Sequence, residues 1–408
     1  MDSSYKKLFK NIGLLTVSNF ASKFLAFFLV PLYTNVLSTA EYGTYDMFNI
    51  TIGVLIPILT LNIRDAVMRF AIKKDFSNEI IKIISIKYFG ISVFIISILL
   101  ITNNIFTIND ILKDYSLYFL LLFIVQTWSE ILLYYVRGID KIYELSLSSI
   151  WASVFTIICN ILFLLVFHWG LVGYFLANVI GPLVQIVYLM IKINFLRFLD
   201  FRNFCKIQEK EMISYSKPMI ANTIAWWVNN ASDRYIVIFF CGLASNGIYS
   251  VASKIPSILN IFQTIFNQAW TLSAVNEFDA EDKNGFFTNM YQSYNCFMVL
   301  VCSLIILFDK ILASILYAND FYSAWIYVPW LTIAILFGAL SGYLGGFFSA
   351  TMNSKIFANS TVVGAVFNIV LNFCLTPFIG PLGAAISTTI SYFLVWLIRY
   401  SNAIKLIK

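Results

Sequence analysis

A few residues able to do chemistry stand out against an apolar background in this chain of 408 residues. Lys23 lies inside an apolar run, with Thr16 and Asn19 on the same helical face at steps of 3 and 4. A second run carries Asn222, Trp226, Asn229 and Asp233 at steps of 4, 3 and 4, with Asn230 and Arg234 beside them. Lys254 shares a face with Ser250 and Ser257 in a third run, and Gln126, Glu130 and Tyr134 recur at steps of 4 in a fourth. A charge at the centre of a bilayer costs about 2.5–3.5 kcal/mol on insertion scales, so such residues usually face a cavity and mark function. Lys23, Arg234 and Lys254 are cations suited to holding an anion. Asn19, Asn222 and Asn229 are neutral groups suited to a polar substrate. Glu130 and Asp233 are acids suited to proton or sodium coupling.

Each of these residues also has a plainer reading. Arg234 and Lys254 are within about two turns, ~10 Å, of a span end, and both could snorkel to the surface. Asp233 could serve as an ion-pair partner, and the asparagines could join helix to helix. Asp46 begins a span and reads better as a helix cap than as a substrate contact. Lys23 and Glu130 are too deep to snorkel easily. Trp226 and Trp227 read first as packing residues, with sugar stacking as the sharper alternative. His168, the single histidine, sits in His168-Trp169-Gly170 at a span end. That suits an aromatic belt better than a proton relay.

Other chemistry is excluded. There is no G-x-x-x-x-G-K-[ST], no G-x-G-x-x-G, no H-E-x-x-H and no EF-hand loop. The six cysteines form no C-x-x-C pair and five lie in apolar runs, so they read as packing residues rather than a metal or disulfide framework. No catalytic residue, metal or cofactor is expected, and the chain is not read as an enzyme. A net charge of +6 is too small and too scattered for a nucleic-acid binder.

The elements that must position these charges follow from composition. Sixty per cent of residues are apolar, 12% are charged, and the mean hydropathy is +0.82. A soluble chain is nearer 45–50% apolar and about 25% charged. Apolar runs long enough to cross ~30 Å of hydrocarbon recur at 12–36, 45–63, 83–102, 115–137, 146–168, 171–193, 215–240, 247–275, 286–308, 322–350, 356–378 and 381–403. These predict twelve transmembrane helices, because a lipid-facing backbone must satisfy its own hydrogen bonds. The first run, with Lys23 and no cleavage site, reads as an uncleaved span rather than a signal peptide. Gly342, Gly345 and Gly346 open the long tenth run to tilt or breakage.

Placing the N-terminus in the cytoplasm puts 22 of the 27 Lys and Arg residues in inner segments and only Lys113 and Lys310 in outer loops. By the positive-inside rule both termini are cytoplasmic. The chain also repeats itself. A shift of 204 carries Gly43-x-Tyr45 onto Gly247-x-Tyr249. The same shift carries the stripe Asp46, Asn49, Gly53, Pro57, Thr60, Arg64 onto Ser250, Ser253, Ser257, Ile261, Thr264, Gln268. An even number of spans per half makes the repeat parallel. The expected fold is therefore an all-α integral membrane protein. Its twelve helices form two six-helix bundles, 1–204 and 205–408, related by a parallel pseudo-twofold, with the basic loop 194–214 as hinge.

The stretch Phe28-Leu29-Val30-Pro31-Leu32-Tyr33-Thr34, followed by Leu37-Ser38-Thr39-Ala40-Glu41-Tyr42-Gly43-Thr44-Tyr45, resembles the start of the polysaccharide-transporter family. Asn368-x-x-x-Asn372-x-x-x-x-Pro377-x-x-Gly380-x-x-Gly383-Ala384-Ala385 resembles that family's last two spans. These are the Wzx-type flippases of O-antigen and capsule repeat units, within the multidrug/oligosaccharidyl-lipid/polysaccharide exporter superfamily. The resemblance covers the whole chain in span number and spacing. It implies a cleft between two bundles that opens alternately to each side. It implies an undecaprenyl-pyrophosphate-linked oligosaccharide as substrate, moved from the inner to the outer leaflet of the bacterial inner membrane. It also implies a basic cleft lining, coupling to a cation gradient, membrane lipid as surroundings and the polysaccharide polymerase machinery as partner in lipopolysaccharide biosynthesis.

The residues agree with the resemblance on one point: a cleft holding Lys23, Arg234 and Lys254 complements a pyrophosphate. Two rivals remain. A cation-coupled drug antiporter of the same superfamily would favour an acidic cavity. An O-antigen polymerase or ligase would carry a large outer loop, and the longest outer loops here, 103–114 and 309–321, are short.

Overall fold

The structure, a computed structural model, describes residues 27–73, 77–197, 199–276, 285–350 and 354–407. Lys23 and Asn19 lie outside the described residues. Within them every regular element is helical. The chain begins with α1 (Val30–Val36), α2 (Thr39–Leu59), α3 (Ile63–Lys73), α4 (Asn78–Phe106), α5 (Ser116–Gly138), α6 (Ile142–Asn160) and α7 (Gly170–Lys192). It continues with α8 (Lys206–Ala252), α9 (Ser257–Asn276), α10 (Phe286–Leu307), α11 (Val328–Ala350), α12 (Ser354–Ile379) and α13 (Pro381–Ile407). Among the described residues nine helices are long and apolar enough to cross a membrane, or ten if the bent pair α2–α3 is one span. The chain is a multi-pass membrane protein.

The core is apolar, but large apolar side chains also cover the surface and many small polar ones are buried. Phe94, Phe239, Leu307 and Phe378 are exposed on helices, whereas Thr60, Ser85, Ser92, Thr127, Ser148, Asn246, Asn372 and Ser387 are buried. In lipid, apolar side chains gain nothing from leaving the surface, so small and polar residues fill the contacts between helices. Many of those hydroxyls bond a carbonyl one turn back, as Ser387 Oγ does to Gly383 O at 2.7 Å.

The helices pack into two compact units. The first gathers the described residues up to Leu32 with Met47–Trp227, and the second gathers Tyr33–Asp46 with Val228–Lys408. Three helices, α1, α2 and α8, contribute residues to both units. In the first unit, α5 packs on α3, α4 and α7, and α6 on α7; in the second, α13 packs on α11 and α12, and α9 on α11.

Four predicted spans take particular forms. The run 45–63 is not one straight helix: α2 and α3 meet at a 60° bend, with Leu61 and Asn62 in the left-handed region at φ 51° and 52°. Pro57 lies one turn before the bend and removes a backbone donor there. The tenth run holds together: a 3₁₀ turn, Asn319–Ile326, leads into an unbroken α11 through Gly342 and Gly345. The seventh and eighth runs are separated at Gly242, whose φ of 83° and ψ of 176° divide α8 into two arms, 206–241 and 243–252. Glycine meets no steric penalty at that φ.

Candidate functional site

A buried polar cluster belongs to the second unit and begins with two glycines. A Cβ on Gly43 would stand 2.0 Å from Leu243 O, and one on Gly247 would stand 2.0 Å from Thr39 O. The contact is reciprocal: residues 204 apart in sequence meet, and each does to its image what its image does to it. That is the signature of a local twofold axis. It places the internal repeat in space at the crossing of α2 with the second arm of α8.

Backbones this close bring short side chains together. Asp46 Oδ1 accepts from Arg234 Nη1 at 2.7 Å and from Ser250 Oγ at 2.7 Å. Its Oδ2 accepts from Asn246 Nδ2 at 3.1 Å. Ser250 is the image of Asp46 in the repeat. The expectation that Asp46 caps its helix is corrected here. The cap is Ser38, whose Oγ accepts from Glu41 N at 3.2 Å while Glu41 Oε2 accepts from Ser38 N at 2.8 Å, a reciprocal capping box.

Asp233 is next to this cluster. Its Oδ1 accepts from Arg234 N at 2.9 Å, and its Oδ2 accepts from the Tyr249 hydroxyl at 2.6 Å. On α12 and α13, Asn368 Nδ2 donates to Thr388 Oγ1 at 3.2 Å, and Asn372 Nδ2 donates to Asn368 Oδ1 at 3.1 Å. Asn372 Oδ1 is buried and accepts nothing from the described residues.

Lys254 lies between the second arm of α8 and α9, where Pro256 interrupts the helix over 253–256. Its side chain is half-buried, and among the described residues no carboxylate is within ion-pair distance. Asn222 is exposed on the first arm of α8, and Asn229 is in the same arm with its side chain outside the described residues.

Glu130 belongs to the first unit, apart from these groups. Arg64 Nη1 of α3 donates to Glu130 Oε2 of α5. The Arg64 guanidinium stands 5.2 Å from the centre of the Tyr134 ring, and Arg137 stands 5.7 Å from the same ring. One turn away, Gln126 Nε2 donates to Asn49 Oδ1 at 3.0 Å. Two members of the stripe, Asn49 on α2 and Arg64 on α3, thus meet neighbouring turns of α5. Arg64, the last residue of the stripe read from Asp46, lies in α3 just beyond the bend; that it pairs with Glu130 was not read from the sequence.

His168 is exposed with φ 52°, beside a stack in which Trp169 lies 4.9 Å from Phe163 and 5.1 Å from Phe167. All six cysteines are free thiols. Among the described residues no group of three His, Cys, Asp or Glu side chains could hold a metal ion.

A family profile described as polysaccharide biosynthesis protein matches residues 8–272. The chain belongs to that family. The probable low-salt glycan biosynthesis flippase Agl15 of Haloferax volcanii is 22% identical over 388 residues, covering 93% of this chain and 79% of the relative. Among solved structures, the lipid II flippase MurJ in an inward closed conformation superposes with a TM-score of 0.77 at 14% identity, covering 97% of this chain and 90% of MurJ. An inward-facing multidrug resistance MATE family transporter superposes with a TM-score of 0.69 at 15% identity, covering 96% of this chain and 95% of the transporter. These likenesses fix the fold as the twelve-helix, two-bundle class. They agree with the resemblance read from Phe28–Tyr45 and Asn368–Ala385 in family and in fold: the chain belongs to the polysaccharide biosynthesis family and has the twelve-helix, two-bundle architecture.

Proposed function

We propose that the chain is a flippase for an oligosaccharide repeat unit carried on undecaprenyl pyrophosphate. It moves the unit from the inner to the outer leaflet of the bacterial inner membrane by alternating access, with both termini in the cytoplasm. It delivers the unit to the polysaccharide polymerase machinery, and no covalent bond changes. Membership of a polysaccharide biosynthesis family and a relative named as a glycan flippase support this reading. The observation that carries it is Lys254, an ammonium between membrane helices that lacks a carboxylate among the described residues. A pyrophosphate supplies the missing counter-charge through charge-assisted hydrogen bonds.

The residue roles follow from what each group already holds. Lys23 and Lys254 receive the diphosphate, with Asn19 alongside. Asn222 and Asn229, on the first arm of α8, contact the sugars. Arg234 is already held by Asp46, so its role in this reading is to bind α2 to α8, with release of that contact as one step of the cycle. Asp233 is the coupling acid, because its carboxylate is held by the Arg234 N–H and the neutral Tyr249 hydroxyl and has no salt bridge among the described residues. Glu130 is tied to Arg64 and holds α3 on α5.

The test is export in a bacterial host that lacks its own repeat-unit flippase. The wild-type chain is expected to restore surface glycan, and Lys254→Ala is expected to reduce it by at least about tenfold, the loss that follows from one charge-assisted contact. Undecaprenyl-linked units should then accumulate on the inner face. Normal surface glycan at matched protein level overturns the role of Lys254. A wild-type chain that, present in the membrane, restores no surface glycan and leaves the inner-face units in place overturns the flippase itself.

A further inference from the structure

The segment 193–217, which joins α7 to the first arm of α8, lies wholly in the first unit. In the sequence it reads only as a basic hinge. The structure gives it two sides.

The inner side is fixed. Phe195 is buried, with its ring centroid 5.5 Å from Trp128 and 5.7 Å from Tyr135, and Met212 and Ser216 are buried as well. Glu79 Oε1 accepts from Asp200 N at 2.8 Å. Glu209 Oε1 accepts from Lys87 Nζ at 2.6 Å and from the Tyr88 hydroxyl at 2.9 Å, and Lys87 also lies 4.6 Å from the centre of the Phe204 ring.

The outer side is unlike this. Leu196, Phe201 and Ile207 are 60–79% exposed, and Arg202, Lys206, Lys210 and Lys217 are exposed among them. Folding has therefore sorted the charges. Glu209 is drawn inward onto α4, and Asp200 Oδ1 accepts from Arg202 N at 3.0 Å within its own turn. Five cations, Arg197 among them, are exposed against two exposed acids, Asp200 and Glu211.

We propose that this outer side is a binding surface for the headgroups of anionic phospholipids in the adjacent leaflet. The segment joins two helices that cross the membrane, so it emerges at headgroup depth. Exposed large apolar side chains interleaved with lysine and arginine are the composition that seats a segment in the interface, apolar groups among the acyl chains and cations at the phosphates. Each basic residue near an anionic surface raises partitioning about fivefold. The clamp of Glu209 on Lys87 and Tyr88 sets which face is turned outward.

The test uses the full chain in nanodiscs of phosphatidylcholine mixed with phosphatidylglycerol, with native mass spectrometry reading the lipids retained on release. The wild type is expected to retain phosphatidylglycerol over phosphatidylcholine. The triple variant Arg202→Gln/Lys206→Gln/Lys210→Gln is expected to lose at least about tenfold of that preference. Its unfolding midpoint in phosphatidylcholine discs should be unchanged, since the three side chains are exposed. Lys206→Arg/Lys210→Arg should keep the preference, and so should Lys113→Gln, which lies on a different loop. Equal retention of the two lipids by the wild type overturns the proposal. So does a triple variant with wild-type preference, or an equal loss in Lys113→Gln.

Discussion

Asp46 and Glu130 are both carboxylates met by an arginine from another helix, yet their surroundings differ. The Asp46 side chain is 7% exposed and its oxygens accept from Arg234, Ser250 and Asn246. The Glu130 side chain is 36% exposed and Arg64 is its ion-pair partner. In the first case the charge is desolvated and its lone pairs are satisfied by fixed donors, so removing one partner strands the rest. In the second the carboxylate retains access to its surroundings, and the loss of Arg64 leaves it less exposed to penalty. Charges of the same type, on helices of the same protein, thus act as a closed latch in one unit and an open rung in the other. Their sequence neighbourhoods, each a polar stripe on an apolar helix, do not distinguish them.

The comparison can be broken most directly at Asp46. Asp46→Ala is expected to lose about 3–5 kcal/mol, the cost of leaving a buried partner charge uncompensated. A thermal or denaturant melt of the detergent-solubilised chain measures it. A loss below ~1 kcal/mol means the latch is wet.

The glycine crossing comes next. Gly43→Ala puts a methyl 2.0 Å from a backbone carbonyl, which the helices can relieve only by separating, at about 1–3 kcal/mol. Crosslinking between cysteines placed at Thr39 and Leu243 should fall in Gly43→Ala and again in Gly247→Ala. Undiminished crosslinking in both removes the close crossing as the source of the Asp46 cluster.

The smallest effect is expected at Glu130. Glu130→Gln should change stability by less than ~1 kcal/mol, the range of an exposed pair. If it costs as much as Asp46→Ala, the two centres are alike and the contrast fails.

Much of this arrangement was legible beforehand. Helix number, membrane character and the stripe Asp46 to Arg64 follow from hydropathy and from steps of 3 and 4, which are properties of short windows. The repeat at 204 residues was legible too, and it named the pair that meets: Gly43 with Gly247, and Asp46 with Ser250. What could not be read was that these images touch. Nor could the bend at Leu61 and Asn62 be seen, since neither residue is one that favours positive φ as strongly as glycine does. Beyond that bend Arg64 lies in α3 and pairs with Glu130. Asp46 was misjudged for a related reason: a capping motif was present, but Ser38 and Glu41 had already used it.

By itself, the sequence determined that this chain is a helical membrane protein of repeated halves, and which faces of its helices are polar. Tertiary structure decided which of those charges neutralise one another. Arg234 reaches Asp46 across 188 residues, and Arg64 reaches Glu130 across 66. Hydropathy and helical period are set residue by residue along the chain, whereas a Coulomb pair depends on the distance between helices remote in sequence. That distance was set by two glycines at a crossing and by a bend between two helices.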